Sequence, residues 1–420
     1  MPKIAVPAHI MAIARKLDAA GFESVVVGGA VRDSLLGRAV KDWDLATNAT
    51  PAQVAGIFPQ TTATTRFGTA LVPMRGDLVE ITTYRTEADY SDFRRPDRVD
   101  FTGDIRVDLS RRDLTVNAIA YNPISDTLID PFGGQDDLTR RLLRAVGAPS
   151  ERFAEDALRL LRVVRFVSSL GFAIERSTAA AMAANAHLAA HLAAERVGTE
   201  YARLLAGPGR IDALRAAAQL GLIDATLSEI ANDASGLSRA DHGIATAAAL
   251  PADAGPSTLW AALYHHAAAD HRAAARAVRE RLIKMALSED LAHEASRLVE
   301  ASALPYTDYR DEATLWRTLR QFPRARFEAG MVIHLGCLAT QQRSPERAKR
   351  FIAQARSMYG FGLPAAIRDL TINGDDLVKL GIAPGPGMGA MLGDLLEATT
   401  EKLIPNEREA LLRYVRSKIA

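Results

Sequence analysis

The sequence has little cysteine and almost no net charge. Its 420 residues include a single cysteine, Cys337, and 51 basic residues balance 50 acidic ones, for a formal net charge of +1 at pH 7. One cysteine excludes an intrachain disulfide framework and a zinc site built from several cysteines, and it is typical of a cytoplasmic protein. The net charge predicts no general attraction to nucleic acid. Arginine is nevertheless dense between Arg94 and Arg165, so the protein can have a locally basic surface although its net charge is close to zero.

Long hydrophobic runs are also missing. The N-terminal stretch MPKIAVPAHIMAIARKL lacks the apolar core of a signal peptide, and the spacing of Ile10, Ile13 and Leu17 predicts an amphipathic helix that ends at Gly21. With 48% hydrophobic and 24% charged residues, the composition is that of a globular protein, neither disordered nor membrane-spanning. The length allows roughly two to four units, each with its own core.

Residues 24–47, SVVVGGAVRDSLLGRAVKDWDLAT, have the layout of a phosphate-binding site. We predict a β-branched strand at Ser24–Val27, a turn at Gly28 and Gly29, and a short helix that carries Arg32. Glycine lets the backbone approach a phosphate closely, and the helix start offers free N–H groups and the positive end of its dipole. A lone pair of glycines is most often only a turn.

Two aspartates follow in what we predict to be a second strand. Asp42 and Asp44 are two residues apart, so both side chains project from one face while Trp43 and Leu45 point into the core. At a Cα separation of about 7 Å the two carboxylates can share Mg²⁺, which prefers oxygen ligands and keeps waters and substrate phosphates as its other partners. Taken alone, such a pair is most often a solvated strand end.

A third acidic group is predicted on a hairpin. Residues 70–74 and 78–84 have the pattern of two strands joined by a turn at 75–77. In the second strand the alternation places Glu80 on the face opposite its two apolar neighbours. Glu80 is either a third carboxylate at the metal site, because two-metal chemistry commonly draws on three acidic groups, or a surface residue on a half-exposed strand.

Residues 86–110 are polar, contain proline and mix both signs of charge. A run of this length predicts a mobile loop, and such loops are often functional. The segment carries Arg94, Arg95 and Arg98.

Three adjacent charges, Arg111, Arg112 and Asp113, come before an apolar run that contains Asn117. From the residues alone they are either a helix N-terminus with a capping aspartate or part of an anion-binding site.

The apolar spacing of residues 151–172 predicts one helix of about five turns that ends at Gly171. Asp156, Arg159 and Arg162 follow one face of this helix. They form either an ordinary intrahelical salt bridge or a site that recognises nucleotide bases by hydrogen bonds. Cytosine and adenine both present an amino donor beside a ring-nitrogen acceptor, so an Asp acceptor next to an Arg donor complements them and mismatches uracil and guanine by about 1–3 kcal/mol.

These patterns resemble a known family. The strand, Gly-Gly turn, helix and D-x-D strand are similar to the first motif of the class II tRNA nucleotidyltransferases, the CCA-adding enzymes, and of bacterial poly(A) polymerases. Further motifs follow in family order: RRDLTVNA resembles the second, DPFGG the third, EDALR the nucleotide-selecting motif E-D-x-x-R, and AERVGTEYARLL the motif that braces the selecting helix. The tail TINGDDLVKLGIAPGPG resembles the part of CCA-adding enzymes that grips the outer corner of tRNA.

The resemblance implies a role for individual residues. The predicted catalytic and Mg²⁺-binding pair is Asp42 and Asp44, with Glu80 as a third acid. The residues implied to hold the triphosphate are Gly28, Gly29, Arg32 and Arg112. Those implied to hold the sugar are Asp113 and Asn117. Those implied to read the base are Asp156, Arg159 and Arg162, and Glu155 completes their motif.

The Ala-rich residues 211–360 predict helices and no strand. His265, His266, Asp270 and His271 are either a metal-dependent phosphohydrolase site, of the kind some relatives carry in an appended domain, or ordinary histidines at helix surfaces.

Other conspicuous residues have a structural interpretation. Trp260, Trp316 and Phe322 are predicted to be core residues rather than base-stacking platforms. Gly385, Gly387 and Gly389 lack a preceding strand, so they are predicted to lie in a turn between two helices.

The sequence thus predicts an α+β fold, with a nucleotidyltransferase head containing a small mixed sheet (1–150), an all-helical neck (151–210), a helical body (211–360) and a helical, tRNA-binding tail (361–420). The predicted function is Mg²⁺-dependent, template-independent addition of C, C and A to the 3′ end of tRNA from CTP and ATP, in the cytoplasm, without a membrane or an evident protein partner. The alternatives are poly(A) addition, partial CC or A addition, and a non-catalytic RNA-binding protein.

Overall fold

The computed structural model describes residues 4–64, 68–74, 76–88, 98–231, 238–268, 270–307, 309–360 and 363–419. The chain divides into two compact units. The first is Met1–Ser228 with Lys284–Leu287, and the second is Glu229–Ile283 with Ser288–Ala420. The four-part division of the chain stays a prediction.

The first unit contains a seven-stranded mixed sheet in the order β3-β4-β5-β2-β1-β8-β9. The described strands are β1 (Ser24–Val27), β2 (Leu45–Thr47), β3 (Thr62–Thr64), β4 (Thr69–Met74), β5 (Asp77–Thr83), β6 (Arg85–Ala88), β7 (Arg98–Phe101), β8 (Ala120–Asn122), β9 (Thr127–Ile129), β10 (Leu142–Leu143) and β11 (Ala173–Ile174). Within the large sheet β2 and β5 run parallel, and the other described neighbours are antiparallel. The predicted first strand and the predicted hairpin of β4 and β5 are confirmed.

The prediction that both aspartates lie within a strand is wrong. β2 begins at Leu45, after Asp42 and Asp44. The reason is that β1 ends at the Gly28 turn, so its last bond to this segment is from Val27 N–H to the Asp44 carbonyl, at 3.1 Å. Leu45 is buried as expected, whereas Trp43 is only half-buried.

The predicted loop at 86–110 contains regular structure. β6 and β7 pair as an antiparallel hairpin, and a helix follows at Ile105–Ser110, capped by the Asp104 side chain, which accepts from Arg106 N–H at 2.8 Å. A loop prediction for these parts was therefore wrong. Arg94 and Arg95 lie outside the described residues.

Helices cover the sheet and form the rest of the first unit. They are α1 (Ala8–Ala19), α2 (Gly29–Leu35), α3 (Pro51–Ile57), α4 (Ile105–Ser110), α5 (Gly134–Arg140), α6 (Pro149–Glu155), α7 (Leu158–Leu170), α8 (Arg176–Asn185), α9 (Ala194–Ala206), α10 (Arg210–Gln219) and α11 (Leu222–Thr226). From α6 onward, the described residues of the first unit form helices apart from the two-residue strand β11.

The helix predicted at 151–172 is broken into α6 and α7. Asp156, with φ −137° and ψ 102°, has an extended backbone, and its carboxylate accepts from Leu158 N–H at 3.0 Å. An aspartate that bonds to nearby backbone N–H groups in this way competes with helix continuation. α7 ends at Gly171 in the left-handed conformation, φ 68°, as predicted.

In its described residues the second unit contains helices joined by loops, and no strand. Its helices are α12 (Arg239–Ala248), α13 (Pro256–Tyr264), α14 (His271–Lys284), α15 (Glu289–Ser302), α16 (Glu312–Leu319), α17 (Arg324–Thr340), α18 (Glu346–Gly360), α19 (Gly374–Lys379), α20 (Pro386–Thr400) and α21 (Arg408–Ile419). Trp260, Trp316 and Phe322 are buried core residues, as predicted. No helix in the described residues is long and apolar enough to cross a membrane.

The glycines of the tail depart from the prediction. Gly385 precedes α20, but Gly387 and Gly389 lie inside its first turn, so the predicted turn is wrong for these two. Pro386 begins the helix because its fixed φ and missing N–H suit the first helical position.

Candidate active site

A cavity of about 560 Å³ opens in the first unit beside β1, β5 and α7. Of the twelve predicted site residues, eleven line it: Gly28, Gly29, Arg32, Asp44, Glu80, Arg112, Asp113, Asn117, Asp156, Arg159 and Arg162. Asp42 does not. It is exposed and lines a neighbouring cavity, which shares Asp44 and Glu80 with this one.

The parallel pairing of β2 and β5 brings two carboxylates together. Leu45 pairs with Ile81, so the preceding residues, Asp44 and Glu80, are neighbours at the same edge. Glu80 is exposed between buried residues, as the alternation predicted. The pKa of Asp44 is raised by partial burial and then by the negative charge of Glu80, against a lowering effect of Arg112. At this edge two carboxylates lie side by side, an arrangement that a divalent cation would stabilise.

The Gly28 turn holds the backbone against an arginine. Gly28 has φ 69°, and a Cβ at this position would lie 3.0 Å from Nη1 of Arg112. Arg112 donates from Nη2 to Asp108 at 3.3 Å, while its Nε is buried without a hydrogen-bond partner in the described structure. The guanidinium group of Arg112 is therefore in contact with the Gly28 turn.

The function predicted from the sequence implies that replacing Gly28 with alanine lowers nucleotide incorporation about tenfold, mainly through a raised KM for the nucleotide. The new Cβ would displace Arg112, and a positive φ costs a non-glycine residue about 1–2 kcal/mol. Steady-state kinetics with varied CTP would measure the effect. Gly56→Ala is the matched control, because a Cβ there meets nothing within 4 Å. Equal KM values for the two variants would contradict the prediction.

A chain of hydrogen bonds crosses the floor of the pocket. Arg32 Nη1 donates to Asn117 Oδ1 at 2.7 Å, and Asn117 Nδ2 donates to Asp113 Oδ1 at 3.0 Å. Asp113 is buried and pairs with Arg162 at 2.6 Å. Burial alone would raise the pKa of Asp113, but Arg162, Asn117 and the Leu114 N–H reverse this and lower it. Asp113 is therefore a fixed anion that orients Arg162 and Asn117.

The three charges at 111–113 follow the end of α4 rather than begin a helix. Arg111 is the residue after α4, and no helix-capping bond of Asp113 occurs in the described structure; its side chain accepts instead from Leu114 N–H at 2.8 Å. The alternative of a capping aspartate is therefore wrong.

The break between α6 and α7 separates Asp156 from Arg159. Asp156 pairs with Arg196 of α9 at 3.3 Å, whereas Arg159 pairs with Glu155 at 2.5 Å. The alternative of an Asp156–Arg159 salt bridge is therefore wrong. Arg159 also donates to the carbonyls of two other residues, at 2.9 Å each, which leaves two of its five N–H donors for a ligand.

Two ion pairs tie α7 and its start to α9. Besides Asp156–Arg196, Arg165 contacts Glu200 at 2.8 Å, with the Glu200 side chain 5% exposed. This arrangement suits the bracing motif that the sequence resembles.

Several pocket residues were not predicted as site residues. They are Arg85, Arg111, Arg165, Phe166 and Arg196 among others. Arg165 and Phe166 lie three and four residues after Arg162, so helical spacing could have indicated them. Arg85 and Arg111 reach the pocket through the fold of β6 and α4, which no local pattern indicated. In all, eight arginines and four carboxylates line the pocket, an excess of positive charge that suits a polyanion.

Three family models match the chain. They are the poly A polymerase head domain over residues 24–144, the probable RNA- and SrmB-binding site of polymerase A over residues 171–233, and the putative domain 2 of tRNA nucleotidyltransferase over residues 256–415. The first covers β1 to β10 and most of the pocket.

Similar proteins are CCA-adding enzymes. The CCA-adding enzyme of Lacticaseibacillus paracasei is 36% identical over 405 residues, which are 95% of this chain and 94% of its own length. That of Geobacillus kaustophilus is 49% identical over 213 residues, a match spanning 50% of this chain and 52% of the relative. The crystal structure of the Bacillus stearothermophilus CCA-adding enzyme in complex with CTP superposes with a TM-score of 0.72 and 31% identity over 98% of both chains. The chain therefore belongs to the family of CCA-adding enzymes, the tRNA nucleotidyltransferases.

Proposed function

We propose that the residues of this pocket carry out the family's reaction, the template-independent addition of C, C and A to the 3′ end of tRNA. The tRNA 3′-hydroxyl oxygen attacks the α-phosphorus of CTP or ATP, a new phosphodiester bond forms, and pyrophosphate leaves. The observation that carries the proposal is the adjacency of Asp44 and Glu80 at the edge of an arginine-rich pocket.

The triphosphate is held at the Gly28 turn. Gly28 and Gly29 allow close approach of the backbone, while Arg32 and Arg112 supply positive charge. Arg112 is suited to this because its Nη1 lies against the Gly28 turn, 3.0 Å from where a Cβ at Gly28 would stand.

The carboxylates of Asp42, Asp44 and Glu80 fit Mg²⁺. All three are oxygen ligands, and the raised pKa of Asp44 beside the other two indicates a site whose negative charge a cation would relieve. When bound, Mg²⁺ lowers the pKa of the attacking hydroxyl and neutralises charge on the leaving group. Asp42 completes this set only if it turns toward the pocket from its exposed position.

The sugar and base are read on the α7 side of the pocket. Asp113 and Asn117 hold the ribose, and the hydrogen bond between them fixes their orientation. The Asp156 carboxylate accepts from the amino group of cytosine or adenine. Arg159 and Arg162 donate to the neighbouring ring nitrogen. A carboxylate acceptor beside a guanidinium donor matches the edges of C and A and mismatches those of U and G.

Two further features belong to the proposal. The tail at 361–420 binds tRNA, which its resemblance to the tRNA-gripping part of the family supports. The cytoplasm is the compartment where the reaction takes place, which the single cysteine supports.

Incorporation assays test the proposed specificity. Purified protein with Mg²⁺ would be given each nucleotide separately and in pairs, on tRNA transcripts ending before C, after CC and at an unrelated 3′ end. We expect C, C and A in that order and then a stop, and a transcript that already ends in CCA is the control that should not be extended. Long A tails on any RNA would indicate a poly(A) polymerase, and a stop at CC, or a need for CC, would indicate partial addition. No incorporation under any condition would favour a non-catalytic RNA-binding protein.

A further inference from the structure

The second unit contains a cluster of histidines that the nucleotide pocket does not use. The ring centroids of His265 and His266 are 4.8 Å apart, and those of His265 and His271 are 5.0 Å apart. His242 lies 5.5 Å from His266, so four of the nine histidines in the sequence lie in one group.

The predicted alternatives for these residues need correction. Asp270 is exposed and uses its carboxylate at the start of α14, where it accepts from the backbone N–H groups of Arg272 at 3.1 Å and Ala273 at 3.3 Å. His265 is not at a helix surface, because it is only 2% exposed. Neither a phosphohydrolase ligand set that includes Asp270 nor a surface histidine at 265 fits this arrangement.

The hydrogen bonds of His265 fix which of its nitrogens is protonated. The Ser302 hydroxyl donates its only proton to the Val299 carbonyl at 2.7 Å. Ser302 Oγ must therefore accept from His265 Nδ1, which is 2.9 Å away, and Nδ1 carries the proton. This leaves Nε2 as a bare lone pair, buried and without a hydrogen-bond partner in the described structure. An unsatisfied buried acceptor of this kind is a poor structural group and a good metal ligand.

His266 and Cys337 supply the second and third candidate ligands. His266 Nε2 is 3.2 Å from the sulfur of Cys337, which is fully buried. One ligand atom from each of His265, His266 and Cys337 lies within 4.8 Å of the other two. In a tetrahedral zinc site, bonds of about 2.0 Å to nitrogen and 2.3 Å to sulfur place neighbouring ligand atoms about 3.3–3.6 Å apart. The ligand atoms that are farthest apart must therefore approach each other by up to about 1.5 Å.

We propose that His265, His266 and Cys337 form a binding site for Zn²⁺ in the helical body. A thiolate with two imidazoles is a ligand set that zinc accepts readily, and Ser302 already orients His265 as an outer-shell partner does. His271, whose ring centroid lies 5.0 Å from that of His265, also has a buried Nε2 without a partner in the described structure. It lines a cavity of about 510 Å³ together with Tyr306.

The site would fasten two helices together. His265 directly follows α13, and Cys337 lies in α17, so a bound ion would link the end of one helix to the interior of the other. None of the three ligands lines the nucleotide pocket, so the site is structural and independent of the proposed reaction.

Cobalt spectroscopy tests the site in the full-length protein without a histidine tag. Metal-free protein in a thiol-free reductant would be titrated with Co²⁺, which reports tetrahedral coordination by visible absorption and thiolate ligation by a near-ultraviolet charge-transfer band. We expect both signals at one Co²⁺ per chain, and we expect Zn²⁺ to abolish them. Because the chain has one cysteine, the charge-transfer band can arise only from Cys337. Absence of that band at a millimolar Co²⁺ concentration would overturn the proposal.

Variants and thermal unfolding supply a second test. Zn²⁺ should raise the unfolding temperature of the wild-type protein and of His293→Gln, a control with an exposed histidine on α15. Zn²⁺ should not raise that of Cys337→Ser or His265→Gln. An equal rise in all four proteins would indicate non-specific binding and refute the site. If a variant does not fold, the wild-type cobalt spectrum still decides, and nucleotide incorporation plays no part in either readout.

Discussion

Changing Asp44 to asparagine should lower CMP and AMP incorporation by about a thousandfold or more while tRNA binding is retained. The substitution keeps the size of the side chain and the bond from Val27 N–H to the residue 44 carbonyl, so β1 and β2 stay paired. It removes one negative charge from the edge where Asp44 and Glu80 meet. On the proposed mechanism Asp44 holds the metal ion, so its loss should remove several kcal/mol of transition-state stabilisation, and about 4 kcal/mol corresponds to a thousandfold.

Two measurements check this prediction. Single-turnover incorporation gives the chemical rate, and filter binding or anisotropy gives tRNA affinity. Asp18→Asn is the matched control, because Asp18 is an exposed aspartate on α1 outside the pocket. Incorporation that survives in Asp44→Asn would refute the metal-assisted mechanism, whereas weakened tRNA binding alone would indicate that the residue acts on the RNA.

The second large effect is expected at Asp156, where asparagine should relax the choice of nucleotide. Asparagine keeps an oxygen that can accept from Leu158 N–H, so α7 can still begin at the same residue. Its amide can also turn and donate, which would let it pair with the carbonyl of uracil or guanine. We expect the ratio of kcat/KM for CTP over UTP to fall about tenfold to a hundredfold, the equivalent of about 1–3 kcal/mol of base discrimination.

Two controls separate base reading from structural damage at Asp156. Glu151→Gln changes an exposed carboxylate on α6 and should leave the ratio unchanged. Arg196→Gln breaks the same ion pair as Asp156→Asn but keeps the Asp156 carboxylate. Selectivity should therefore persist in Arg196→Gln, even if its rate falls. An unchanged CTP to UTP ratio in Asp156→Asn would contradict the base-reading role.

The sequence predicted those parts of the site that depend on local periodicity. Alternation along β5 correctly placed Glu80 between two buried residues, and the β-branched run before the glycines correctly placed β1. Apolar spacing also predicted that α7 ends at Gly171. In each case neighbouring residues alone decide which face a side chain occupies.

What the sequence could not predict depends on contacts between distant residues. Apolar spacing continued through Asp156, but its carboxylate bonds to the backbone and breaks the helix, so Asp156 pairs with Arg196 and not with Arg159. Asp42 lies before the strand because β1 ends at the Gly28 turn and gives it no partner. Arg85 reaches the pocket only because β6 pairs with β7. Local patterns carry no information about any of these contacts.

The parallel pairing of β2 and β5 has a consequence for the order in which the protein folds. A parallel pair needs a long crossover, here one that contains α3, β3 and β4, so the chain must close a large loop before Leu45 meets Ile81. Contacts between residues far apart in the sequence form slowly. Closing the loop between them costs conformational entropy before the contacts contribute any stabilisation. Asp44 and Glu80, which repel each other, meet only when this pairing is complete. On the proposed mechanism, a nascent or partly folded chain therefore lacks the paired carboxylates of its metal site, and we expect no nucleotide addition before the head domain has reached the native topology.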